Sequence, residues 1–219
     1  MILFISSQRS SLMKIRKVRF VIIAALVAAM IASSMMVSFA ATGSKTVYST
    51  TYNEVIKGST YAYCSTGKGL YRVNPKTNKI KKISSEGMPD IEPVAMKLYK
   101  GYIYYLVGDG INNCLYRVKT NGKNKKFLGN VANYAIKNKT IYYTHYTYNE
   151  DTGREVPQHK KMSLTGKNKK KTVYKVYMKN KATNKKGYRV KTVESSNKLT
   201  YYLAKPNKKR VKLCRFTFD

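Results

Sequence analysis

The chain has no tryptophan, two histidines, three cysteines and five prolines, and only ten acidic residues stand against 43 lysines and arginines. Each shortage narrows the field. His145 and His159 lack the i, i+4 or cysteine-rich spacing of a zinc site, so no metal is expected, although Glu150, Asp151 and Glu155 lie near them in the sequence. Gly108-Asp109-Gly110-Ile111-Asn112-Asn113 has the oxygen ligands of a minimal calcium loop without the closing acid, and reads as an ordinary turn. No GxSxG elbow, P-loop or GxGxxG run occurs. A hydrolase using paired carboxylates needs two acids across a cleft, and nothing marks such a pair. The expectation is no catalytic residue and no cofactor, with an enzyme acting on cell-surface glycans as the alternative.

Cys64, Cys114 and Cys214 make an odd count with no dense cysteine framework. A Cys64–Cys114 disulfide is open to an exported protein, and small apolar strand residues are the commoner use of such cysteines. Export itself is legible at the start of the chain. Lys14, Arg16, Lys17 and Arg19 precede an apolar run from Phe20 to Ala32, and Ser38-Phe39-Ala40 supplies small residues for a signal peptidase. Residues 1–40 are therefore expected to be a signal peptide cleaved after Ala40, with Met13 as an alternative start. A retained membrane anchor is the competing reading. Either fate places the rest outside the cytoplasm, secreted or at the cell surface. Removing the five basic residues of that segment from a formal charge of +33 leaves about +28, a surface that attracts polyanions.

What the chain has in quantity is tyrosine, twenty in all, and they fall in a pattern. STYAYCS (59–65), GYIYYLV (101–107), TIYYTHY (140–146) and LTYYLA (199–204) are β-branched and aromatic runs of strand character. A second strand follows each: GLYRVNP (69–75), CLYRVKT (114–120), HKKMSLT (159–165) and KLCRFTF (212–218). LYRV recurs after 45 residues and Gly-Lys-Asn-Lys-Lys (122–126 and 166–170) after 44. Inner strands are expected through Pro93–Met96, Asn133–Ile136 and Val190–Val193, the first followed by a turn over Lys97–Gly101. Strand, turn, tyrosine strand, turn, LYRV strand, lysine turn and outer strand make one four-stranded blade. The expected fold is all-β, a propeller-like array of about four four-stranded blades over residues 59–219, with 41–58 as an N-terminal strand or linker.

The YIYY strand, the LYR-aliphatic strand and the Gly-Lys turn with its KKL-like step resemble the extracellular β-propeller-like repeat proteins of low-GC Gram-positive bacteria (domain of unknown function 5050). Residues 102–105 and 115–128 carry the best copy. The resemblance implies a non-catalytic extracellular interaction module and transfers no catalytic residue. The last copy stops at Asp219, which aligns with Asn121, so the last blade is expected to end early. Lys45 to Tyr52 is one source for the missing edge and a protein partner another; otherwise the ring stays open. Residues 172–193 read as an extra hairpin turning at Asn180 to Lys186, and 144–158 as a long hairpin turning near Asp151-Thr152-Gly153.

The turn lysines Lys79, Lys81, Lys82, Lys123, Lys125, Lys126, Lys167, Lys169, Lys170 and Lys171 recur at equivalent places. Sharing one rim, they form a basic arc able to dock an anionic cell-wall polymer or lipid headgroups, with lysine acting as a point charge. Gly, Asn and Lys are also ordinary exposed turn residues. Tyr71, Tyr104, Tyr116 and Tyr142 are expected to pack the core, and an outward row of tyrosines to be free to stack on sugar rings or bases. No physiological nucleic acid is expected. A structural protein–protein scaffold is the remaining alternative.

Overall fold

Tyrosines and β-branched residues in short runs, broken by glycine, asparagine and lysine, favour strands joined by tight turns. The computed structural model describes residues 45–49, 55–87, 94–178, 187–206 and 210–218, and every element among them is a β-strand. The chain divides into two compact units, Met1–Gly43 and Ser44–Asp219. The first unit, and with it the signal-peptide expectation, lies outside the described residues.

Three four-stranded antiparallel sheets follow one another as blades. The first holds β2 (Val55–Lys57), β3 (Ala62–Thr66), β4 (Gly69–Val73) and β5 (Ile80–Lys82); it opens a few residues ahead of the expected boundary. The second holds β6 (Val94–Tyr99), β7 (Tyr102–Val107), β8 (Asn113–Lys119) and β9 (Lys126–Val131). The third holds β10 (Asn133–Lys137), β11 (Thr140–Asn149), β12 (Arg154–Ser163) and β13 (Lys170–Lys171). β6 runs on to Tyr99, so the turn expected over Lys97–Gly101 narrows to Lys100 and Gly101. The β11–β12 hairpin turns through Glu150–Gly153.

Alternation along each strand gives two apolar faces. The second blade sends Ile103, Tyr105 and Val118 back against Tyr63, Leu70 and Ile83 of the first. It sends Tyr104, Leu106, Leu115 and Leu128 forward against Tyr134, Ile141, Tyr143 and Met162 of the third. Each such side chain wholly removed from water contributes roughly 1.5–3 kcal/mol. Tyr134 is fully buried, and its hydroxyl lies 2.6 Å from the Ala95 carbonyl oxygen and 2.9 Å from that of Tyr104. It donates its one proton to either, which removes the cost of burying the phenol.

Within a blade the first-to-second and third-to-fourth strand turns share an end, as the Thr120 amide donating to the Gly101 carbonyl at 3.0 Å shows. The three blades run in phase. Gly122 and Gly166, in the turns before β9 and β13, sit on Ile83 and Leu128 of the preceding blades. Asn112, at the opposite end, donates to the Tyr146 carbonyl (2.8 Å) and accepts from the Tyr146 amide (2.9 Å) of the next blade. The loop with calcium-loop oxygens thus uses its asparagine as a brace between blades.

The rest of the array is less regular than these three blades. β1 (Lys45–Ser49) pairs in parallel with β14 (Tyr174–Met178), and Val47 and Val176 of this pair pack on Ala135 of the third blade. β1 therefore does not supply an edge to the last sheet. β14 and β15 (Arg189–Ser195) belong to different sheets, so the hairpin expected over 172–193 is not formed; its turn lies outside the described residues. The fourth antiparallel sheet has three strands, β15, β16 (Lys198–Ala204) and β17 (Arg210–Thr217), and leaves the array propeller-like and incomplete.

That sheet packs on the first blade, with Tyr201, Leu203, Val211 and Leu213 against Ala62, Cys64, Tyr71 and Val73. It lies reversed. Lys205, at the β16–β17 end, donates to the Pro75 carbonyl at 2.8 Å in the lysine-turn end of the first blade. Phe216, near the other end, lies under the Lys68 ammonium, 4.7 Å from the ring centroid, beside the β3–β4 turn. Cys64 is buried in this interface, and Cys64, Cys114 and Cys214 are all free thiols, so the Cys64–Cys114 disulfide is not formed. Cys64 packs backward toward the last sheet and Cys114 lies on the next blade, beside Asn130. Burial pushes the Cys64 thiol far up, as for an inert apolar residue.

Candidate anion-binding rim

The lysine turns repeat in backbone as well as in sequence. In the second blade the Lys119 amide donates to the Lys123 carbonyl (2.9 Å) and the Gly122 amide to Lys119 (2.8 Å). In the third, Ser163 donates to Lys167 (2.9 Å) and Gly166 to Ser163 (3.0 Å). Asn124 and Asn168 both sit in the left-handed region, at φ 54° and 57°, which asparagine tolerates better than most side chains. The first blade closes a turn one residue longer, from Asn74 to Lys79, with Asn78 at φ 58°. All three turns lie at the same end of their blades.

All ten lysines named from the sequence are exposed. Lys79, Lys123 and Lys167 stand in the turns. Lys81, Lys82, Lys126, Lys170 and Lys171 lie along the outer strands β5, β9 and β13. Lys125 and Lys169 behave differently, because each reaches back to the preceding blade. Lys125 forms an ion pair with Glu86, the one such pair among the described residues. Lys169 lays its ammonium against Gly129, 3.1 Å from where a β-carbon would stand. Partial burial acts to raise the Glu86 carboxyl, but hydrogen bonds from Lys125, Ser84, its own amide and Tyr105 outweigh it and hold the group below its ordinary value. Lys125 and Lys169 thus reach across to the preceding blade, and the other eight lysines present point charges to solvent.

The four named tyrosines divide. Tyr71 and Tyr104 are buried. Tyr116 and Tyr142 are half-buried: Tyr116 stacks on Tyr105 with centroids 5.7 Å apart, and Tyr142 tilts on Tyr174 at 4.7 Å. Burial pushes the Tyr71 hydroxyl up to about 12, with the neighbouring Cys214 thiol adding to the rise.

Sequence reasoning passed over two arginines. Arg72 and Arg117 are the R of the two LYRV copies. Arg117 stands over the Tyr102 ring, 4.7 Å from its centroid, and donates to the Leu164 carbonyl of the next blade at 3.1 Å. Arg72 repeats this over Tyr61 at 4.4 Å, donating to the Thr120 carbonyl at 3.3 Å. The signal was available in the exact recurrence of LYRV. Their consequence is that Tyr61 and Tyr102 already carry a guanidinium on one ring face, which leaves less of them for stacking on sugars or bases. Among the described residues no group of three or more His, Cys, Asp or Glu is placed to hold a metal ion. The two histidines make separate contacts: His145 is 3.0 Å from the Asn130 carbonyl, and His159 is 3.3 Å from the Thr144 hydroxyl.

No family model matches the chain, and no curated protein matches it. Among solved structures it is similar to the crystal structure of the N-terminal domain of Nup159, with a TM-score of 0.33 and 14% identity. That similarity covers 68% of this chain and 38% of the other.

Proposed function

We propose that the chain is an exported, non-catalytic binding module for anionic polymers of the cell surface, docked through its lysine turns. The observation that carries this reading is the recurrence of a lysine-bearing turn at the same end of three successive blades, the second and third of these turns each seated on the blade before it. A row of fixed turns holds ammonium groups at the surface of a rigid scaffold, and a polymer of repeated phosphates or carboxylates meets several of them at once. The leader-like start of the chain supports an extracellular setting.

The test is cosedimentation of the chain from Ala41 to Asp219 with Gram-positive cell walls, intact or stripped of anionic polymers, over a salt series. Binding is expected to need the polymers and to weaken steeply with salt. Equal retention by stripped walls, or retention unaffected by neutralising Lys123, Lys126, Lys167 and Lys170 together, refutes the reading and favours a protein scaffold.

A further inference from the structure

A lysine-rich composition by itself scatters its few acids at random, and here they are sorted. Asp109 lies in the β7–β8 turn, and Glu150, Asp151 and Glu155 lie at the tip of the β11–β12 hairpin. Glu86 precedes Gly87, which packs on Gly67 and Gly69 in and beside the β3–β4 turn. Glu194 is opposite Leu199, itself opposite Phe216, the ring under Lys68 of that same turn. Five of the six acids among the described residues therefore gather toward the end opposite the lysine turns, and Glu86 is instead paired with Lys125, which follows the second blade's turn.

The lysine end also holds a second row of cations. The turns joining the first and second strands place Lys100 and Lys139 in the left-handed region, at φ 49° and 61°. In the second blade the partner at φ 75° is Gly101; in the third the partner at φ 48° is Asn138. Such two-residue hairpin turns favour asparagine followed by glycine. Each turn gives up one of the two favoured residues for a lysine, at a local conformational cost.

Several of the cations here are also held in place. Lys100 stands over the Tyr99 ring at 6.0 Å, Lys119 over Tyr102 at 5.9 Å, and Lys137 over Tyr174 at 5.8 Å. Ammoniums resting on half-buried rings lose less freedom when an anion arrives.

Resting on the polymer-binding reading above, we infer that the site is composite: Lys100, Lys137 and Lys139 form a second row beside the Lys79, Lys123 and Lys167 turns. The two rows together accept one extended polyanion laid across the ends of successive blades. The ligand class is a flexible chain of repeated phosphates. A bilayer fits less well, since the exposed large apolar side chains beside these turns are the scattered Ile80 and Phe127, one to a blade, while Ile111 and Tyr148 lie toward the opposite end. A single anion gains nothing from two rows.

The deciding variant is Lys100→Asn with Lys139→Gly, which restores favoured turn residues while removing two charges. Long-chain polyphosphate affinity is expected to fall roughly tenfold at moderate salt, with a salt slope shallower by about one to two. The melting temperature is expected to hold or rise, the opposite of what a purely structural role for these lysines produces. Arg154→Ser with Lys191→Ser removes the same charge elsewhere and is expected to change binding less than twofold. Short polyphosphate is expected to bind far more weakly than long. Equal losses in the two double variants, equal affinity for short and long chains, or tighter binding to phosphatidylserine vesicles than to polyphosphate overturns the composite site. No polyphosphate binding by the unmodified chain overturns the polymer-binding reading beneath it.

Discussion

Arg117→Ala tests the joint between blades most directly. The guanidinium donates to the Leu164 carbonyl at 3.1 Å, stands 4.7 Å from the Tyr102 centroid, and is half-buried. A hydrogen bond from a charged donor contributes about 1.5–3 kcal/mol, and a partly desolvated cation–π contact about 1 kcal/mol. The Leu164 carbonyl keeps one donor after the change, since the Tyr104 hydroxyl lies 3.3 Å away, so the lower end of that range applies. The expected loss is about 2–3 kcal/mol, read as a lower urea midpoint with an unchanged slope. For a domain of this size that is roughly a 4–12 °C fall in melting temperature. Arg215 is the matching residue of the last copy but is exposed on the reversed sheet. Arg215→Ala is therefore expected to stay within about 0.5 kcal/mol of the parent. A loss below about 0.5 kcal/mol for Arg117→Ala, or equal losses for the two arginines, refutes the clamp.

Glu86→Gln removes the carboxylate that Lys125 pairs with. A carboxyl held below its ordinary 4.5 stabilises the fold above that value and loses the contribution as pH falls through its lowered folded value. The variant should accordingly be less stable at neutral pH and lose less stability than the parent when acid melts are compared. Gly166→Ala brings a β-carbon within 3.1 Å of Leu128 Cδ2 at φ +80°, whereas Gly101→Ala at φ +75° meets nothing within 4 Å. Both carry the strain of roughly 1–2 kcal/mol for a left-handed alanine, and only Gly166→Ala should add a packing penalty, which denaturant titration of the pair resolves. A thiol reagent should label half-exposed Cys114 and Cys214 in the native protein and reach buried Cys64 only on unfolding, with mass spectrometry of trapped peptides as the readout.

The blades were legible because their signals are local. Period-two alternation in YIYYLV and the asparagine and glycine of the lysine turns act over a few residues, and the strands and left-handed turns stand where those residues place them. The partners of strands far apart in sequence were not legible. Nothing in KTVYS marks it for parallel pairing with YKVYM, and nothing in LTYYLA tells a sheet in phase from one reversed. The composite rim shows the same division. Its 122–126 and 166–170 turns are repeats in plain view, but Lys100 and Lys139 become conspicuous only through their backbone angles. Arg72 and Arg117 were visible as letters of LYRV, and only a neighbouring carbonyl gives them a role.

The reversed last sheet sets an order of events during synthesis. The face of the first blade made by Ala62, Cys64, Tyr71 and Val73 is covered by residues 201–213, and the Lys205–Pro75 hydrogen bond spans 130 positions. The second blade can dock on the first, and the third on the second, as each emerges, but the first blade's other face waits for almost the whole chain. The earliest blade made is thus the last to be sealed, and for that interval the nascent protein carries a sticky apolar flank.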